Sequence, residues 1–120
     1  MQNEGPIGIC VLGLGLNGHL GFNEPAESLQ PYWHVAELSR ITLSHPMVTD
    51  MDLEPSFGLT MGIADILASD KIVLLVAGRH KQDALSTLMS GAVTPRFPAS
   101  FLWLHRNVTV LCDRAAAAGL

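Results

Sequence analysis

Three short apolar runs set the pattern of the chain. Ile7 to Leu12 (I-G-I-C-V-L), Lys71 to Ala77 (K-I-V-L-L-V-A) and Asn107 to Cys112 (N-V-T-V-L-C) are rich in β-branched residues, and Gly13 and Gly78 close the first two. Apolar residues on consecutive rather than alternating positions predict strands buried on both faces of a parallel sheet. Between these runs the spacing turns helical. Ile63, Ile66 and Leu67 share a face over 62–68. Ala84, Leu85, Leu88 and Met89 share one over 80–90, with Gly91 as the stop. Tyr32 to Leu38 and Phe57 to Thr60 predict two further strands, 99–105 a helical turn, and 115–120 a frayed tail. Pro46 sits where it suits the first turn of a short helix opened by His45-Pro46-Met47. Strands alternating with helices predict an α/β domain over residues 1–120, with a mostly parallel sheet and helices on its faces.

Composition agrees with one packed domain. The 120 residues are 48% hydrophobic and 15% charged, which argues against disorder. A net charge of −4 gives no reason to expect nucleic acid or an anionic membrane as partner. No stretch reaches the ~18 apolar residues of a membrane span. The opening M-Q-N-E-G-P has no basic region followed by an apolar run, so no signal peptide and a cytoplasmic location are expected. Cys10 and Cys112 both fall in predicted strands and are read as small buried apolar residues. With no C-x-x-C or Cys/His ligand spacing, no metal is expected. His34, His45 and His105 are read as structural, and Trp33, Phe101 and Trp103 as core.

The chemistry concentrates where the first strand ends. Gly13, Gly15, Gly18 and Gly21 interrupt a loop that carries Asn17, His19, Asn23 and Glu24. Gly13 to Gly18 spells G-x-G-x-x-G, and Glu37 lies about 20 residues on, as in a dinucleotide-binding fold. That fold needs a long helix from the third glycine. Gly21 and Pro25 leave no room for one, so the dinucleotide reading is set aside. A second loop, Gly78-Arg79-His80-Lys81, opens a predicted helix. Cations are disfavoured at the positive end of a helix, so this cluster makes sense with an anion such as phosphate among them, or simply in solvent. Both loops follow strands, and therefore belong to the carboxyl edge of the sheet, where ligands bind.

G-L-G-L-N-G-H-L-G-F-N-E-P resembles the signature of the glucosamine-6-phosphate and galactosamine-6-phosphate deaminase/isomerase family, usually D-G-H-x-A-F-N-E-P. The likeness continues through L-T-M-G-I-A-D-I-L, V-A-G-R-H-K-Q-D-A-L and S-F-L-W-L-H. Asn17, S-L-Q-P and P-A-S-F-L-W-L-H lean towards the galactosamine branch. The related 6-phosphogluconolactonases share G-x-G-x-D-G-H but lack F-N-E-P, and a lactonase-like hydrolase is the second reading. Family chains are about twice as long and match here through their C-terminal half. The resemblance thus implies a fragment or truncated product, with a complementing N-terminal half or a second copy as partner. A non-catalytic sugar-phosphate-binding half-domain is the other alternative.

The resemblance implies a three-layer α/β/α fold with a mostly parallel Rossmann-like sheet. It implies deamination and isomerisation of an amino-sugar phosphate without metal or organic cofactor. His19 matches the residue that opens the sugar ring, a task that suits an imidazole at neutral pH. Glu24 matches the carboxylate that supports it. Asn17 stands in place of an aspartate and is read as orienting the imidazole through its amide. Lys81 matches the phosphate-binding lysine, and Gly15 and Gly18 shape the loop. A phosphate-binding arginine also belongs to the family; Arg40 is nearby, in a register the sequence does not fix. The aspartate that moves the proton between C1 and C2 has no counterpart here.

Overall fold

The computed structural model describes residues 7–37 and 57–120. The readings placed on Arg40 and on His45-Pro46-Met47 lie outside them. The described elements are β1 (Ile9–Gly13), β2 (His34–Glu37), β3 (Phe57–Thr60), α1 (Ile63–Leu67), β4 (Lys71–Val76), α2 (Gln82–Met89), β5 (Val108–Cys112) and α3 (Arg114–Ala117). Two 3₁₀ segments, Arg79–Lys81 and Pro98–Leu104, complete the set.

The most continuous apolar run in the sequence becomes the central strand. The sheet order is β1-β4-β5 and both pairs are parallel. Cys10 pairs with Ile72 and Val76 with Cys112. The crossover from β4 to β5 carries α2 and the Pro98–Leu104 segment. β2 and β3 instead form a separate antiparallel ribbon, with Val35 opposite Leu59.

Alternation along the strands sorts their side chains. Cys10, Ile72, Leu74 and Val76 point to one face and join Ile66, Ala84, Leu85, Leu88, Ala99, Leu102 and Ala116 in the core. Ile9, Val11, Leu75 and Leu111 point to the other, with exposures of 62%, 59%, 48% and 54%. Parallel sheets with apolar residues on both faces are ordinarily covered on both. Among the described residues, only the face bearing Cys10 and Leu74 is.

Five expectations are corrected. Cys112 ends β5 and is exposed rather than buried. Met89 and Trp103 lie at the rim of the core and line an apolar hollow of about 320 Å³. Trp103 stays half-exposed there because its indole N–H donates to the Leu88 carbonyl (2.7 Å). Trp33 is likewise half-exposed. The tail is helical over Arg114–Ala117, because the Asp113 side chain caps it at the Ala116 N–H and Ala116 is fully buried.

Candidate functional site

The loop after β1 is built as a sequence of tight turns. Gly18 N–H donates to the Gly15 carbonyl (3.0 Å) and Gly15 N–H to the His19 carbonyl (3.1 Å). Gly18 has φ +87°, a conformation that glycine adopts at little cost, and the Phe97 ring lies where its Cβ would be. Ala99 N–H donates to the Gly18 carbonyl (2.8 Å), so the Pro98–Leu104 segment braces this turn. From the other side, Phe22 N–H donates to Thr60 Oγ1 (3.1 Å), which fastens the loop to β3. The buried Asn23 amide donates to the carbonyls of Leu20 (3.0 Å) and Met61 (2.7 Å).

These braces place His19. Its Nδ1 lies 2.8 Å from the Gly21 carbonyl. A carbonyl only accepts, so Nδ1 carries the proton, and Nε2 of the neutral ring keeps its lone pair for proton transfer. The ring lies directly over Gly15. A Cβ there would meet His19 Cδ2 at 2.0 Å and Nε2 at 2.3 Å, so glycine at 15 leaves the imidazole its place.

Asn17 does not orient the imidazole as the sequence suggested. Its Nδ2 donates to Glu24 Oε2 (2.9 Å), and its Oδ1 accepts from the His19 main-chain N–H (3.2 Å). It therefore acts on the histidine's backbone and on the carboxylate.

Lys81 comes from the neighbouring strand's loop. Its Nζ donates to the carbonyl of Leu14, the residue before Gly15. The loops after β1 and β4 thus touch at the carboxyl edge of adjacent strands. Partial burial pushes the Lys81 ammonium below the ordinary lysine range. Arg79 and His80, by contrast, are exposed. The anion expected near this cluster includes one of the protein's own. Both Asp113 carboxylate oxygens accept from Gly78 N–H (3.1 and 3.2 Å). Hydrogen bonds from the Ala116 and Gly78 N–H groups hold Asp113 below the usual carboxylate range, and the His80 charge adds to this. The sequence signal for Asp113 was an aspartate directly after a strand and before a small-residue run, the N-cap position.

Glu24 also lines a hollow of about 260 Å³ with Phe22, Gln30, His34 and Glu37. His34 and Glu37 come from β2, outside the glycine-rich loop, and the ribbon brings them to the same hollow as Glu24. His34 Nδ1 is tied to the Tyr32 carbonyl (2.7 Å). His105 fits its structural reading, with Nε2 against the Ser69 carbonyl (2.6 Å) and Nδ1 accepting from Asn107 N–H (2.9 Å).

Known proteins resemble this arrangement. The putative deaminase AgaI of Escherichia coli K12 is 46% identical over 113 residues, which cover 94% of this chain and 45% of AgaI. The glucosamine-6-phosphate deaminase of Oceanobacillus iheyensis is 42% identical over 118 residues, covering 97% of this chain and 47% of its own length. The solved structure of a monomeric glucosamine-6-phosphate deaminase aligns with a TM-score of 0.84 at 42% identity, over 94% of this chain and 48% of that one. A 6-phosphogluconolactonase from Trypanosoma cruzi aligns with a TM-score of 0.70 at 24% identity, a likeness of fold alone. No protein-family model matches. The chain spans about half the length of the curated relatives it matches.

Proposed function

We propose that this chain, which belongs with the glucosamine-6-phosphate deaminases as a match to about half of their length, supplies the ring-opening and phosphate-holding part of an amino-sugar-phosphate deaminase/isomerase site. The observation that carries the reading is the meeting of the two loops. A histidine with a free Nε2 lies over Gly15, and Lys81 reaches the adjacent Leu14 carbonyl.

In this reading His19 takes the proton of the anomeric hydroxyl and returns one to the ring oxygen, which opens the sugar. A base then moves the C2 proton to C1 while O1 gains a proton and the amine nitrogen gives one up, and water hydrolyses the resulting C2 imine to ammonia and a ketose phosphate. An acid and a base suffice for enolisation next to a carbonyl, so the scheme calls for no cofactor. Glu24 supplies negative charge beside the histidine's loop, and Asn17 positions both. Lys81 exchanges a neutral carbonyl for the phosphate, a stronger acceptor.

The base for the C2 proton is assigned to the remaining half of a family-length fold, in the same polypeptide or in a second one. The apolar face of Ile9, Val11, Leu75 and Leu111 is the ground for placing that half against the open side of the sheet. A second copy of this chain is the rival occupant. Both glucosamine 6-phosphate and galactosamine 6-phosphate are candidate substrates. Their charge keeps them in the compartment where they are made, and the proposed location is the cytoplasm.

Calorimetric titration of the chain with glucosamine 6-phosphate tests this. Affinity is expected to persist at neutral pH and to fall on the alkaline side earlier than an ordinary lysine would dictate. The reason is that Lys81 must be protonated to hold the phosphate, and burial lowers its pKa. Lys81→Gln is expected to weaken glucosamine 6-phosphate roughly 10-fold, abolish the alkaline loss and leave glucosamine unaffected. Equal weakening of both ligands would reject the phosphate role.

A further inference from the structure

We infer that Asn17 is an uncharged clamp: by donating to Glu24 while accepting from the His19 main chain, it keeps Glu24 ionised without a shared proton. The inference rests on the functional reading only in placing Glu24 and His19 in one site. Its own support is the pair of bonds. The Asn17 side chain meets an acceptor on one side, Glu24 Oε2 at 2.9 Å, and a donor on the other, the His19 N–H at 3.2 Å. Only one amide orientation satisfies both. Flipping it would aim oxygen at carboxylate and NH₂ at N–H. Position 17 therefore needs a donor and an acceptor in fixed directions.

An aspartate fills the same volume but supplies only the acceptor. It would keep the bond to His19 N–H and bring a second carboxylate to hydrogen-bond distance of Glu24. Two carboxylates so placed do not both ionise freely; they share a proton and titrate as a pair. Asn17 and Glu24 are both half-buried, so solvent screens the pair only in part. His34 and Glu37 of β2 line the same hollow as Glu24. These stay constant when residue 17 is changed.

The test is a ¹³C-carboxyl NMR titration of Glu24 in the full 120-residue chain. The wild type is expected to show one step. Asn17→Asp is expected to show two coupled steps, the upper about one pH unit or more above the wild-type step, and Asn17→Asp with Glu24→Gln a single unraised step. Asn17→Ala removes the donor without adding charge, and is expected to raise the Glu24 step by about half a unit. It serves if the aspartate variant fails to fold. An unshifted Glu24 step in Asn17→Ala, or two independent unraised carboxyls in Asn17→Asp, would overturn the clamp. The titration contains no ligand, so a failure of sugar-phosphate binding would count against the functional reading alone.

Discussion

The chain alone is expected to release ammonia from glucosamine 6-phosphate or galactosamine 6-phosphate about 10²–10⁴-fold more slowly than when the remaining half of a family-length fold is supplied. The expectation follows from where the aspartates among the described residues lie. Asp70 precedes β4 and bonds through its N–H to the Ile7 carbonyl, at the amino edge of the sheet, away from His19. Asp65 belongs to α1 and Asp83 is exposed on α2. Asp113 is at the carboxyl edge, but N–H groups of Gly78 and Ala116 occupy its carboxylate. None of these is placed to take a proton from a sugar seated between His19 and Lys81. A positioned general base contributes about 10²–10⁴-fold, and the missing part of the substrate cradle adds to the loss. An ammonia-release assay on the chain, then on the chain mixed with a separately made N-terminal half of a homologous deaminase, reads the difference. Turnover near ~1 s⁻¹ by the chain alone would place the base within it.

Asn23→Asp is expected to destabilise the fold by about 3–5 kcal/mol, lowering the melting temperature by roughly 10–20 °C. Asn23 is 3% exposed, and its amide donates to the carbonyls of Leu20 and Met61. Its Oδ1 is buried with no hydrogen-bond partner among the described residues. A carboxylate would aim charge at two carbonyls and bring no donor, which leaves it buried and uncompensated. Asn23→Ala removes the bonds without burying charge and should cost less, about 1–3 kcal/mol. Because Leu20 adjoins His19 and Met61 follows β3, the same bonds fix the loop after β1 to the ribbon. Differential scanning calorimetry decides the matter; an aspartate variant within about 0.5 kcal/mol of the wild type would show that this junction carries no such load.

The sheet was legible because β1, β4 and β5 combine β-branched residues with consecutive apolar positions, a pattern a surface helix does not show. α2 was legible through the spacing of Ala84, Leu85 and Leu88, all of which are buried. The pairing of β2 with β3 was not, since antiparallel pairing between separate segments leaves no local signal. Composition alone made the exposed Cys112 and the half-exposed Trp103 look buried, because hydrophobicity does not say whether a residue sits at the centre or rim of a small core. His19, Lys81 and the glycines around them were visible from their loops. The partner of Asn17 was not. Which groups its amide meets depends on turns at Gly18 and Gly21, both at positive φ, that bring Glu24 back beside it.

The most direct measurement is a ¹H–¹⁵N NMR titration of the chain with glucosamine 6-phosphate. If the two loops form one sugar-phosphate site, amides in Gly13–Glu24 and in Gly78–Lys81 shift together and saturate with a single Kd. Glucosamine at the same concentrations leaves the Gly78–Lys81 signals in place. Shifts confined to one loop, or two unrelated binding curves, would contradict a shared site.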